Sequence, residues 1–317
     1  MRKTFINVLI ELAEQDERII LLTGDLGFMV MEPYIQRFPD RFINVGVAEQ
    51  NLIGIATGLA ESGMIPYVYS ITPFAVLRPY EFIRNGPIYH QLKVRIIGVG
   101  GGVEYGHDGI SHYGIDDIGV LRVQPGISIF APADYQQAST LFRKTWDLPG
   151  PIYYRLSKDE KSVVPGLAGS FNIGEAQLIG SGRDILFITL GPIAMEAIKA
   201  IEMLEAKGIS AALLVASSIN PPPSSTLKKI IPEFKSVITV EAHYINGGLG
   251  SLVSEFVAGQ NADCTVLRCG IEAMPDGHIG TQEHLLQHYG ISSEDLVKKA
   301  LSMLETRKIA VDNQRGH

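Results

Sequence analysis

Apolar positions along the chain recur at helical spacing in some segments and form short unbroken runs in others. Phe5, Val8, Leu9 and Leu12 lie on one face of a predicted helix, and the apolar run at 19–22 that follows predicts a buried strand. Buried strands that alternate with helices are typical of a parallel sheet. The alternation continues with predicted strands at 65–69, 94–99, 127–130 and 152–154, and with predicted helices at 50–61, 79–89 and 134–146.

The periodic pattern stops between residues 157 and 170, where Lys, Asp, Pro, Gly and Ser accumulate, and this segment predicts a linker. Beyond it, apolar runs at 185–189, 211–215, 237–240 and 264–267 again alternate with helical segments. We therefore predict an α/β fold with two domains, each a mainly parallel sheet with helices on both faces. The predicted boundaries are a first domain at 1–160, a linker at 161–172, a second domain at 173–307 and a flexible tail at 308–317.

Length and composition narrow the class of protein. A chain of 317 residues suits two domains of roughly 150 residues each. The net charge of -7 disfavours a nucleic-acid partner, because binding to a phosphate backbone depends on clustered Lys and Arg. The apolar share of 46% suggests a surface that meets a protein partner.

The cysteines and the first helix indicate the cellular compartment of the protein. Cys264 and Cys269 have a spacing that fits neither a disulfide framework nor a pair of metal ligands. The first helix contains Glu11 and Glu14, unlike a secretory signal. No segment approaches the roughly 18 consecutive apolar residues of a membrane span. We expect a cytoplasmic protein with no membrane contact.

Polar residues follow several of the predicted strands at their carboxyl ends. Asp25 follows the first strand, residues 70–74 follow the second, and a glycine-rich segment at 98–109 follows the third. Glu49 opens the helix at 50–61 on the same edge. In open parallel sheets, ligands bind at this edge. We therefore expect these groups to converge on one rim of the first domain.

Each of these groups also has an ordinary structural explanation. A carboxylate such as Glu49 is favoured in the first turn of any helix by the helix dipole, and Asp25 can be a turn residue. The glycine-rich segment lacks the GxGxxG spacing of dinucleotide-binding sites, and His112 can be an ordinary loop histidine. Composition and spacing alone therefore lead only to a cytosolic α/β protein with a polar rim.

Longer motifs in the chain are more specific than these single residues. Residues 41–54, RFINVGVAEQNLIG, resemble the motif of the pyrimidine-binding domain of transketolases. Residues 106–112, GHDGISH, resemble the Gly-Glu-Asp-Gly-x-Thr-His loop of that family. Residues 151–156 also resemble the family, and residues 241–250 resemble its C-terminal domain. The resemblance spans nearly the whole chain.

The resemblance implies a thiamine-diphosphate enzyme that transfers a two-carbon ketol unit between sugar or sugar-phosphate substrates. Full-length transketolases carry a further domain that binds the cofactor diphosphate through a divalent metal, Mg or Ca, with a Gly-Asp-Gly motif, which residues 24–27, GDLG, do not match. The chain therefore resembles the C-terminal subunit of a split transketolase. The expected partner is an N-terminal subunit with the diphosphate and metal site, in a heterotetramer that self-associates through the pyrimidine-binding and C-terminal domains.

The resemblance also implies roles for particular residues. Glu49 matches the glutamate that hydrogen-bonds the cofactor pyrimidine and acts as its acid/base partner, and His112 matches a residue that contacts the sugar hydroxyls and the developing charge. The other matches are Asp25 near the thiazole ring, Ile71 and Phe74 beside the pyrimidine, Asp108 at the sugar hydroxyls, and Arg155 and Arg2 at a substrate phosphate. The metal ligands are expected on the partner subunit.

Four positions depart from the family pattern. Ile71 stands where the family usually stacks a Phe on the pyrimidine, and Met29 stands where a phosphate-binding Ser is common. His107 replaces the usual Glu of the loop, and Tyr113 replaces the Gln that follows its His. These departures indicate a specialised sugar donor or acceptor.

Two alternative functions remain open at this point. The first is a partner subunit of another thiamine-diphosphate enzyme, such as a 2-oxoacid dehydrogenase β-subunit or a deoxyxylulose-phosphate-synthase-like enzyme. The second is a non-catalytic scaffold of the same fold. Asp108, His112 and Arg155 together favour a transketolase over a dehydrogenase, and Glu49 disfavours the scaffold. In the second domain, Glu241 and His243 are predicted to be structural.

Overall fold

The chain folds into two α/β domains, each built around a mainly parallel sheet, as the alternation of strands and helices predicts. The structure is a computed structural model that describes the backbone of residues 1–315 and the side chains of residues 1–309. None of the helices within residues 1–315 has both the length and the apolar character needed to cross a bilayer.

The first domain contains six strands from the first half of the chain, and all five pairings among them are parallel. Every residue of three of these strands is buried, which explains why their apolar runs show no alternation. The strands are β1 (Ile19–Thr23), β2 (Phe42–Asn44), β3 (Ile65–Ile71), β4 (Arg95–Val99), β5 (Ser128–Phe130) and β6 (Ile152–Leu156).

Helices cover both faces of this sheet. They are α1 (Arg2–Gln15), α2 (Glu32–Arg37), α3 (Glu49–Glu61), α4 (Thr72–Val76), α5 (Tyr80–Ile83), α6 (Asp117–Arg122) and α7 (Tyr135–Thr145). On one face α1 packs against α7, where the Phe5 and Phe142 rings lie 5.2 Å apart. The start of α7 is fixed by the Asp134 side chain, which accepts a hydrogen bond from the Gln137 amide.

The second domain follows the same plan with a smaller sheet. The strands of this half are β7 (Gln177–Ile179), β8 (Ile185–Leu190), β9 (Ala211–Val215), β10 (Ser218–Asn220), β11 (Ser236–Tyr244) and β12 (Thr265–Ile271). The helices are α8 (Ala194–Glu205), α9 (Ser224–Ile230), α10 (Leu249–Gln260), α11 (Gln282–His288) and α12 (Ser293–Arg315). The sheet order is β12-β11-β8-β9-β7, with β7 antiparallel at the edge and the other three pairings parallel.

One strand from the second half of the chain crosses to the first sheet. β10 pairs in the antiparallel sense with β5 and completes the order β10-β5-β6-β4-β3-β1-β2. The sequence pattern does not predict this crossing, because a three-residue strand carries too few positions for a periodic signal. The crossing joins the two domains through main-chain hydrogen bonds.

One predicted helix differs in the structure. In the predicted helix at 79–89, α5 gives way to a turn of π-helix at Arg84–Ile88 that contains Pro87, a residue that a regular helix interior excludes. In the predicted tail at 308–317, the backbone continues α12 as far as Arg315, and the last two residues lie outside the described residues. The domain boundaries stay predictions.

A buried ion pair of the first domain also contacts the second domain. Arg155 Nε donates to Asp117 Oδ2 at 3.0 Å, and Arg155 Nη2 donates to the carbonyl of Ala242 in β11 at 2.9 Å. The Tyr153 hydroxyl donates to the same Asp117 oxygen at 2.7 Å. The Arg155 side chain is 4% exposed and that of Asp117 is fully buried. Water therefore cannot solvate either charge if its partner is removed.

A histidine makes a second contact across the domains. The amide of Gly119 in α6 donates to His243 Nε2 at 3.1 Å, and His243 Nδ1 lies 2.7 Å from the carbonyl of Tyr244. An imidazole that accepts at one nitrogen and donates at the other is neutral. Burial lowers the pKa of His243, which agrees with the neutral form.

Arg155→Ala should destabilise the protein by about 3–5 kcal/mol, because the substitution leaves the Asp117 carboxylate buried without its ion-pair partner. Urea-induced unfolding followed by circular dichroism measures the loss. Arg143→Ala is the matched control, since Arg143 forms an exposed ion pair with Glu11. Its removal should change the free energy of unfolding by about 1 kcal/mol or less. Equal effects of the two substitutions would contradict the importance of the buried pair.

Candidate functional site

The polar rim lies at the carboxyl ends of β1, β3 and β4, where the loops that leave these strands meet the start of α3. β1 leads into the loop of Asp25, β3 leads into α4 with Phe74, and β4 leads into the glycine-rich loop at 100–114. The three strands are adjacent in the sheet. Side chains from distant parts of the sequence therefore share one edge, where open parallel sheets bind ligands.

Glu49 is the first residue of α3 and is only 4% exposed. Its Oε1 accepts a hydrogen bond from Arg78 Nη1 at 2.9 Å. Among the described residues no donor bonds Glu49 Oε2, yet this oxygen is not sealed from solvent. The dipole of α3 favours a negative charge at this position. One carboxylate oxygen is therefore paired within the chain, and the other is available to a donor on a ligand.

A row of aromatic rings extends along the rim from Arg78 to Tyr105. The Arg78 guanidinium lies over the Phe74 ring, 4.0 Å from its centroid, and the Phe74 ring meets the His112 ring edge-on at 4.9 Å. The His112 ring lies 6.0 Å from the Tyr105 ring. Three of the predicted site residues, Glu49, Phe74 and His112, therefore belong to one continuous surface.

The loop of Asp108 and His112 is built from two short 3-10 turns, Gly106–Asp108 and Ile110–His112. Asp108 is exposed, and His112 is half-buried with its Nδ1 2.9 Å from Ser111 Oγ. Both predicted substrate contacts of this loop therefore lie at the surface of the rim.

Two of the departures from the family pattern lie in the same loop. Tyr113 is buried, and its hydroxyl donates to the carbonyls of Gly106, at 3.2 Å, and His278, at 2.8 Å. Since His278 belongs to the second domain, Tyr113 ties the loop to that domain. His107 is exposed beside Asp108.

Asn44 connects Asp25 to the turn that precedes Glu49. Asp25 is exposed and has a left-handed backbone conformation, with φ of 59°. The amides of Asp25 and Gly46 both donate to Asn44 Oδ1 at 3.0 Å, and Asn44 Nδ2 donates to Asp25 Oδ1 at 3.3 Å. Asn44 lies within the motif that resembles transketolases, but the sequence alone assigns it no role.

Large apolar side chains are exposed next to the rim. Phe28 and Met29, in the loop after β1, are 73% and 88% exposed, and Val47, just before α3, is 71% exposed. Because β1 pairs with β2, these loops leave neighbouring strands. Ile71, at the end of β3, is half-buried and directly precedes α4 with Phe74. Exposed apolar patches of this kind mark surfaces that bind partners or ligands.

The structure places Arg155, which is predicted to bind a substrate phosphate, at the contact between the two domains. Its guanidinium bonds Asp117 and main-chain carbonyls between the domains. The cavity beside it has a volume of about 20 Å³, which is room for about one water molecule. The physical reason is that residue 155 lies inside β6 and not in the loop that follows the strand.

Lys158 and Arg2 add positive charge to the rim besides that of Arg78. Lys158 Nζ lies over the Tyr105 ring, 4.0 Å from its centroid. The Arg2 side chain is 33% exposed, with its Nε 3.9 Å from Glu160 Oε1. Burial raises the pKa of Tyr105, and the nearby charge of Arg2 opposes this shift. Lys158 and Arg2 therefore both lie near the ring that adjoins His112.

Sequence reasoning missed Arg78 and Lys158, although both have a signal. Arg78 follows Phe74 by four residues, a spacing that puts two side chains on one side of a helical segment. Lys158 follows the end of β6 by two residues, at the edge of the sheet where ligand groups are expected.

Comparisons with known proteins agree with the resemblance seen in the sequence. Residues 1–162 match the family described as transketolase, pyrimidine binding domain. Residues 174–296 match the family described as transketolase, C-terminal domain. The two matches together cover most of the chain.

Similar proteins match over nearly their whole length. The chain is 35% identical over 308 residues to a putative transketolase C-terminal section from Methanocaldococcus jannaschii, and the match covers 96% of each protein. It is 34% identical over 311 residues to a subunit of the apulose-4-phosphate transketolase from Phocaeicola vulgatus, covering 96% of this chain and 97% of that protein. A solved split-gene transketolase, described as an inactive beta4 tetramer, superposes with a TM-score of 0.84 at 31% identity, covering 95% of this chain and 96% of that one.

Asn44→Ala should loosen the rim without unfolding the protein, because Asn44 is exposed and bonds only the neighbouring loop. The amides of Asp25 and Gly46 lose their acceptor, and we expect them to exchange with solvent about fivefold faster, since one hydrogen bond contributes about 1 kcal/mol. Hydrogen exchange followed by NMR measures the rates. Asn85→Ala, at another exposed asparagine, should leave both rates unchanged. Unaltered exchange at both amides in Asn44→Ala would show that Asn44 does not hold the two loops.

Proposed function

Because this chain belongs to the transketolase family, we propose that it is the pyrimidine-binding subunit of a split, thiamine-diphosphate-dependent transketolase. In this proposal it transfers a two-carbon ketol unit between sugar phosphates, in the cytoplasm, together with a separate N-terminal subunit. The observation that carries the proposal is the buried carboxylate of Glu49, whose Oε2 stays available beside a row of aromatic rings.

The rim has the properties that an aminopyrimidine needs. A carboxylate shares a proton with a ring nitrogen effectively when it is shielded from water and keeps one oxygen free, and Glu49 meets both conditions. Thiamine diphosphate, when bound, supplies the electron sink for cleavage of a carbon-carbon bond. Glu49 would hold the proton at Oε2, while Arg78 occupies Oε1.

The side chains around Glu49 would orient the cofactor. Arg78 is fixed by its stacking on Phe74, so the direction of the Glu49 carboxylate is set before a ligand binds. Phe74 and Ile71 would contact the pyrimidine through apolar surface. Asp25 would lie near the thiazole ring, at the position that Asn44 fixes.

The substrate would bind farther along the rim. Asp108 and His112 would contact the sugar hydroxyls, since both lie at the surface of the loop after β4. Lys158 and Arg2 would bind a substrate phosphate in place of Arg155, with the Lys158 ammonium acting as a point charge. A phosphorylated substrate also appears in the name of the relative from Phocaeicola vulgatus.

A second kind of subunit would cover the rim and supply the metal. Phe28, Met29 and Val47 leave an apolar surface next to Asp25 and Glu49, which a partner would bury. We propose that this N-terminal subunit holds the diphosphate and the Mg or Ca ion, and that the assembly is a heterotetramer which self-associates through both domains of this chain. The solved split-gene relative is described as inactive in its beta4 form, which supports this requirement.

Glu49→Gln should lower kcat of the reconstituted complex by about 10²–10⁴-fold, because an amide cannot exchange the proton of the pyrimidine. Steady-state transfer from a ketose phosphate to an aldose phosphate measures the loss. Glu294→Gln is the matched control, since Glu294 also lies in the first turn of a helix but is exposed in the second domain. Near-normal activity of Glu49→Gln would defeat the proposed role.

The choice of donor separates the proposal from its alternatives. The proposed transketolase uses a ketose phosphate in the reconstituted complex and leaves pyruvate unreacted. Preference for pyruvate would instead identify a subunit of a 2-oxoacid dehydrogenase or of a deoxyxylulose-phosphate-synthase-like enzyme. Binding of the N-terminal subunit without any turnover would identify a scaffold.

Met29→Asp should weaken binding of the N-terminal subunit by about tenfold or more, because it places a charge in an apolar contact, and tenfold equals about 1.4 kcal/mol. Sedimentation of the mixed subunits measures the affinity. The folded chain should tolerate the change, since φ at this position is 63° and Asp adopts the left-handed region more readily than Met. Met203→Asp, at a 37% exposed methionine of α8, is the control and should bind as the wild type does. Undiminished binding by Met29→Asp would place the interface elsewhere.

A further inference from the structure

Three side chains of types that can bind metal ions converge in the second domain, away from Glu49. Asp276 and His278 lie in the loop between β12 and α11, and His288 is the last residue of α11. All three residues are exposed, and their ligand atoms lie within 4.8 Å of one another. The cluster has no part in the function proposed above.

The geometry around Asp276 suits a single bound ion. Asp276 Oδ1 lies 2.8 Å from His278 Nδ1 and 3.3 Å from His288 Nε2. Two ligand atoms that each lie about 2.0–2.2 Å from a tetrahedral metal ion are themselves about 3.3 Å apart. The observed separations are therefore close to those of ligands on one ion, and small side-chain rotations would complete the match.

The charges of the cluster also favour a cation between the side chains. The His278 and His288 rings are stacked, with centroids 4.0 Å apart and planes tilted by 25°. Two stacked imidazolium ions would repel each other, whereas two neutral imidazoles can bind a metal. The Asp276 carboxylate lies beside both rings and supplies the negative charge that a bound cation needs.

We propose that Asp276, His278 and His288 bind one divalent transition-metal ion of the zinc class, and that the bound ion stiffens the loop which supports the rim. Imidazole nitrogens select such ions over Mg²⁺ and Ca²⁺, which prefer oxygen ligands. Since the three residues are exposed, the remaining coordination positions would be filled by water. This site is separate from the metal that the N-terminal subunit would hold.

Hydrogen bonds to the main chain of the loop that carries Asp276 and His278 connect the cluster to the rim. The carbonyl of His278 accepts a hydrogen bond from the Tyr113 hydroxyl at 2.8 Å, and the amide of Gly280 donates to the carbonyl of Gly106 at 3.2 Å. A side chain on Gly106 would collide with the Gly280 carbonyl, so the two loops are in close contact. An ion that fixes residues 276–278 would therefore also restrain the loop at 106–113, which carries Asp108 and His112.

Calorimetric titration with Zn²⁺ tests the site in the full chain, prepared without a polyhistidine tag. We expect one tight site per chain, and at least about tenfold weaker binding in His278→Ala and His288→Ala. His284→Ala is the matched control, because His284 is an exposed histidine of the same helix α11 outside the cluster, and it should bind as the wild type does. Mg²⁺ should show no binding at this site.

Hydrogen exchange of residues 106–113 tests the coupling in the same samples. Saturating Zn²⁺ should slow exchange in this loop of the wild type and of His284→Ala, and should leave His288→Ala unchanged. The proposal is overturned if the wild type binds no Zn²⁺, if His284→Ala loses affinity as much as His288→Ala, or if Zn²⁺ binds without slowing exchange at 106–113. Neither measurement uses enzymatic activity, so the outcome is independent of the proposed function.

Discussion

The ion pair between Glu49 and Arg78 is the contact on which the rest of the rim depends. A carboxylate that is 4% exposed needs a hydrogen-bond partner in place of water, and Arg78 supplies it at one oxygen only. Arg78 is held in turn by the Phe74 ring, which packs against His112. A single buried carboxylate thus aligns the start of α3 with the loop after β4, and it leaves one oxygen available beside that loop.

Contacts from the second domain hold this rim in position. The main-chain carbonyls of Ala242 and His278 accept hydrogen bonds from Arg155 and Tyr113, and β10 extends the first sheet at β5. These contacts fix the position of the glycine-rich loop, so the stability of the domain interface and the geometry of the rim are linked. The exposed cluster around Asp276 adds a further point at which the second domain can act on the same loop.

The sequence predicted the architecture well because buried parallel strands are unbroken apolar runs, as at Ile19–Thr23. The position of Glu49 at the rim could be predicted for a similar reason, since strand ends and helix starts lie at a known edge of the sheet. The phosphate contact of Arg155 stays a prediction: inside β6 its side chain bonds Asp117, whereas Lys158, beyond the strand, lies at the rim. Pairings between distant segments, such as that of Glu49 with Arg78, leave no local pattern and needed the three-dimensional structure.

Equilibrium binding of thiamine diphosphate to the separate and the mixed subunits shows whether Glu49 holds the pyrimidine of the cofactor. We expect that neither this chain nor the N-terminal subunit binds the cofactor tightly alone, that the mixture does, and that Glu49→Gln abolishes the gain while the subunits still associate. Tight binding by the N-terminal subunit alone, or an undiminished gain with Glu49→Gln, would contradict the claim that this carboxylate holds the pyrimidine.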